Sequence, residues 1–80
     1  IQALLLEEAE TLVYTTEKVL FEIEEKVSKE KVKAVKHRLE VVQKELAKDL
    51  ISIVALKRAV DALKEVAQKV ATDLYKRSSR

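Results

Sequence analysis

Neither a glycine nor a proline occurs in these 80 residues. Without glycine the backbone has no low-cost route into the left-handed conformations of tight β-hairpins, and without proline nothing interrupts a helix once it has begun. The chain is thereby restricted to helices joined by turns that ordinary residues can make. Its apolar pattern agrees. Leu5, Ala9, Leu12, Thr16, Val19, Ile23 and Val27 recur in steps of three and four, the spacing that lines one face of an α-helix. Val32, Val35, Leu39, Val42 and Leu46 repeat it, and so do Ile53, Leu56, Val60, Leu63, Ala67, Val70 and Leu74.

The joints between these stripes are legible too. The five-residue step from Val27 to Val32 would rotate a continuous helix off its stripe, so a break is expected at 28–31, with Ser28 as N-cap of the next helix. A single helix over 29–76 would be roughly 70 Å long and would leave half its stripe without an intramolecular partner. The phase slips again at Leu46, Leu50 and Ile53, and Asp49 and Ser52 are both capable N-caps there. The expectation is one all-α domain over 1–80: helix 1 at about 1–27, helix 2 at about 29–47 and helix 3 at about 53–76, in an antiparallel three-helix bundle. Extra apolar positions at Val54, Val66 and Tyr75 would widen the third stripe enough to touch two neighbours. A second helix of about twenty residues would reach back only to about residue 7. Helix 1 would then overhang at its N-terminal end, carrying Ile1, Leu4, Leu5 and Leu6 as an uncovered apolar cluster, a candidate self-association surface for a homodimer.

Chemistry is harder to find. A domain this small buries only about 60% of its unfolded surface, too little for a deep enclosed pocket. With no cysteine and a single histidine, His37, there is no metal site and no nucleophilic triad in the reading. Glu7–Glu8 and Glu24–Glu25 are neighbours in sequence and so point about 100° apart on a helix, which excludes a shared-proton dyad. Net charge of +2 hides a segregation: residues 1–27 hold seven acids and two bases, and residues 28–80 hold seven acids and fourteen bases. The acidic first helix is expected to neutralise the basic remainder internally. The run Lys29, Lys31, Lys33, Lys36 and Arg38 lacks interleaved aromatics, so neither a nucleic-acid nor a membrane partner is expected. The absence of an eighteen-residue apolar run and of a signal-peptide pattern suggests a soluble piece of a longer protein.

Two stretches resemble a known family. AETLVYTTEK, Ala9 to Lys18, is similar to the long lid helix of DnaK-type chaperones, the seventy-kilodalton heat-shock protein family, where that helix leaves the substrate-binding region. ALKRAVDALKEVAQKVATDLYK, Ala55 to Lys76, resembles the last lid helices, and Lys26-Val27-Ser28 resembles the turn between them. The chain departs from the family in the second turn, where Ala47 to Ser52 is about two residues longer and lacks the usual Gly and acidic pair, and at Leu4, Leu5 and Leu6, where the family helix is more polar.

The resemblance implies a lid that does no chemistry. It would close over an unfolded client polypeptide held in the β-sandwich domain of the same cytoplasmic chaperone. ATP and Mg would bind elsewhere in the full-length protein, and no cofactor would bind here. Glu10 and Tyr14, one turn apart, would occupy the face that meets the β-sandwich, with Glu10 at the position of the carboxylate that latches onto a basic residue there. The competing expectation is a structural helical bundle or coiled-coil oligomerisation module, natural or engineered.

Overall fold

The computed structural model describes residues 2–78, with side chains over 3–76. Three helices follow one another: α1 (Gln2–Ile23), α2 (Lys29–Leu46) and α3 (Ile53–Ser78). The molecule measures 46 × 21 × 17 Å, and its long dimension is close to the roughly 39 Å of a 26-residue helix, so the helices lie side by side along it. Polar contacts set the register. Gln43 Nε2 donates to Glu17 Oε1 at 3.0 Å and Lys36 lies 3.5 Å from Glu24, so α2 runs antiparallel to α1. Lys31 near the start of α2 pairs with Asp73 near the end of α3, and Lys64 of α3 pairs with Glu8 of α1. The second and third helices are thus antiparallel, and α1 and α3 run parallel. This is the expected three-helix bundle, with α2 and α3 forming its most extensive pair.

Both foreseen caps are present. The Ser28 backbone is extended and its hydroxyl accepts from the Lys31 amide at 3.4 Å. The Ser52 hydroxyl accepts from the Ala55 amide at 3.3 Å, while Asp49 stays in the exposed turn. Each satisfies an amide that the first helical turn leaves without a backbone partner.

The core is drawn from the three stripes, with Leu56, Leu63, Val42 and Val60 as its largest fully buried side chains. Four particulars differ from the expectation. Helix α1 stops at Ile23 and not near 27: the Ile23 carbonyl accepts from both Lys26 and Val27, closing a turn, while Val27 is still buried. Glu22, Glu24 and Glu25 crowd this terminus, where the negative end of the helix dipole disfavours carboxylates and the last helical turn holds no basic residue. Leu20 is buried in place of Val19, since both lie one turn from Thr16 and the position of α2 selects Leu20. Val54 and Tyr75 are exposed, so only Val66 of the three extra α3 positions packs against the core.

The fourth concerns the overhang. Run one residue for one from Gln43 opposite Glu17, α2 would end beside Tyr14, so the start of α1 does project beyond it. Parallel α3 covers that projection. Leu5 and Leu6 are half-buried and packed against the core, and only Leu4 remains exposed. The uncovered cluster of Leu4, Leu5 and Leu6 is therefore corrected to a single exposed leucine, and Ile1 lies outside the described residues.

Candidate binding face on the first helix

The 3.6-residue period of α1 turns Ala9, Thr16, Leu20 and Ile23 inward. It leaves Glu10, Tyr14, Lys18 and Phe21 on the outer side. Tyr14 is 61% exposed, and the Lys18 ammonium sits 4.7 Å from its ring centroid, a cation–π contact that holds the ring along the helix surface. Glu10 and Tyr14 thus occupy one exposed face, one turn apart, as the sequence places them. Among the described residues Glu10 makes no ion pair. Its neighbours differ: Glu8 pairs with Lys64, Glu17 accepts from Gln43 and Glu24 faces Lys36. The bundle ties these carboxylates to α2 and α3 and leaves Glu10 pointing away.

Glu8 shows what such tying does to a carboxylate. The hydrogen bond from Lys64 and the charge of the same ammonium hold it below its ordinary value of 4.5, a weak desolvation opposes them, and the charge of Lys57 adds a smaller pull downward. Lys64 and Glu8 lie beside a shallow trough that Leu4, Glu7, Thr11, Leu12 and Thr15 also line.

Within the basic run of α2, Lys31 is paired with Asp73 and Lys36 with Glu24, while Lys29, Lys33 and Arg38 are exposed. His37 is exposed. Among the described residues no three His, Cys, Asp or Glu side chains gather into a metal-binding group, and no helix is long and apolar enough to cross a membrane.

Phe21 is the feature the sequence reading overlooked. The chain's one phenylalanine is 84% exposed, on the outer side of α1 two turns beyond Tyr14. Its departure from the three-four stripe is the signal that could have revealed it. Leu50, in the turn before α3, and Val54, in the first turn of α3, are likewise exposed. No protein-family model and no solved structure gives a significant match to the chain.

Proposed function

We propose that the chain is the α-helical lid of a DnaK-type chaperone and acts by closing over an unfolded segment held in a separate β-sandwich domain. The observation that carries this reading is the outer face of α1. A carboxylate at Glu10 and an aromatic at Tyr14 stand exposed there, one turn apart, while Glu8 and Glu17 of the same helix are engaged by α3 and α2. A latch needs such a face: rigid, apolar enough to exclude water, and carrying a charge not already paired within its own domain. Phe21 and the Lys18 stem extend it along the helix.

As a lid the bundle contributes free energy to the closed state only, so its latch contacts set how long the client dwells. ATP hydrolysis belongs to another part of the chaperone, and the partners of this part are the β-sandwich and the client polypeptide. The test is peptide release from the ADP state of a chaperone carrying this lid. A partly exposed ion pair contributes about 1 kcal/mol, so Glu10→Ala should speed release several-fold. Lys33→Ala, on exposed α2, should leave release unchanged. Equal rates for Glu10→Ala and the parent would remove Glu10 from the latch.

A further inference from the structure

A furrow flanks α1 on each side. The cleft against α3, about 230 Å³, has an almost wholly apolar lining and no charge that names an occupant. The furrow against α2, about 240 Å³, differs: Glu17, Leu20, Phe21 and Glu24 of α1 and Lys36 of α2 line it, so an aromatic ring and carboxylates stand together. Buried Leu20 is its floor, and Phe21, 84% exposed, is its outer wall. At this size it admits one side chain of a partner and not a whole small molecule, whose sites run to roughly 300–1,000 Å³.

Helical spacing gives Phe21 a companion. Tyr14 stands seven residues earlier, so both exposed rings project from the outer side of α1, about 10 Å apart along the helix. Lys18 lies over the Tyr14 ring, and among the described residues no cation lies over Phe21. The charge around Phe21 is negative. Glu17, Glu22, Glu24 and Glu25 are within one turn of it, and across the furrow Glu40 stands on the α2 rim between Lys36 and Gln43, both of which reach α1. Lys36 faces Glu24 and Gln43 donates to Glu17, whereas Glu22, Glu25 and Glu40 make no ion pair among the described residues. The chain as a whole carries +2, so this acidity is local to its most exposed aromatic.

We propose that this face docks a basic polypeptide segment of a partner protein, with an arginine on Phe21. The guanidinium plane stacks on the ring and its N–H fork pairs with Glu25, one turn on; a second cation meets Glu40 across the furrow, and an apolar side chain between them packs over Leu20. Arginine suits this better than lysine, whose ammonium is a hydrated point charge with no plane to stack. A second copy of the chain docked face to face is the poorer occupant, because it would set Glu22, Glu25 and Glu40 against themselves. The contact uses neither Glu10 nor Tyr14 and does not rest on the lid reading, so either can fail alone.

The probe is a fluorescein-labelled nonapeptide, Ala-Arg-Leu-Arg-Ala-Arg-Leu-Arg-Ala, titrated with the 80-residue chain at low salt and followed by anisotropy and by amide shift mapping. Binding should have a dissociation constant on the order of 100 μM, should weaken as salt is added, and should shift the amides of Glu17, Phe21, Glu25 and Glu40. Phe21→Ala should weaken it about fivefold and Phe21→Tyr should keep it, since either ring offers a face to the cation. Glu25→Gln combined with Glu40→Gln should also weaken it about fivefold, and a peptide with lysine in place of arginine should bind several-fold less tightly. Glu65→Gln removes the same charge from exposed α3 and should change nothing. No binding at about 1 mM chain, shifts that map elsewhere, equal affinity for Phe21→Ala and the parent, or equal affinity for the lysine peptide would each overturn the proposal. Self-association of the chain that is lost with Phe21→Ala would overturn it too, giving the face to a second copy.

Discussion

Leu63 and Phe21 set size against position. Leu63 is 0% exposed at the centre of α3, whereas Phe21, the bulkier side chain, is 84% exposed. Truncating Leu63 to alanine removes three buried carbons and leaves a cavity in a closely packed interior, a change that costs about 3 kcal/mol. An 80-residue domain has only about 4–12 kcal/mol of stability in all. At about 4–8 °C per kcal/mol for a domain this small, the melting temperature should fall by about 12–24 °C. Phe21→Ala leaves no cavity, because the ring is already in water, and alanine is the better helix former, so the change should stay within about 0.5 kcal/mol. Thermal unfolding followed by far-ultraviolet circular dichroism measures both. If Phe21→Ala melts as early as Leu63→Ala, the ring is part of the core and the outer face of α1 is misassigned.

Ser28→Ala and Ser52→Ala should each cost about 1 kcal/mol in urea unfolding, and aspartate at either position should recover most of it; no loss at either site would mean the caps are idle. Acid should weaken the bundle through Glu8. Its carboxylate is depressed in the folded state, so its contribution is present above the unfolded value and is lost as the pH falls through the folded one. Glu8→Gln should therefore flatten part of the loss of stability as the pH falls below about 4.5, and parallel acid profiles for parent and variant would refute the Lys64 pairing.

Sequence pattern sufficed for the architecture because the three-four spacing and the absence of glycine and proline left few alternatives. Ser28 and Ser52 were readable for a local reason: each stands immediately before its helix, where free amides need an acceptor. The early end of α1 at Ile23 was readable as well, in the carboxylates at Glu22, Glu24 and Glu25, but the buried Val27 prolongs the stripe past the end of the helix. The choice of Leu20 over Val19 depends on where α2 lies, which periodicity does not state. The cover over Leu5 and Leu6 was missed for a related reason: their register was set against antiparallel α2, while parallel α3 does the covering. Of the candidate site, Glu10 and Tyr14 follow from the helical period. The cleft between α1 and α3 is a product of tertiary packing, which the periodicity of neither helix states.

The lid assignment is tested most directly by the release rate of a labelled peptide from a chaperone whose β-sandwich is followed by this bundle, compared with the same protein truncated before α1. With the bundle present, release in the ADP state should be about tenfold slower, equivalent to about 1.4 kcal/mol in favour of the closed state. Equal release with and without the bundle would contradict the assignment.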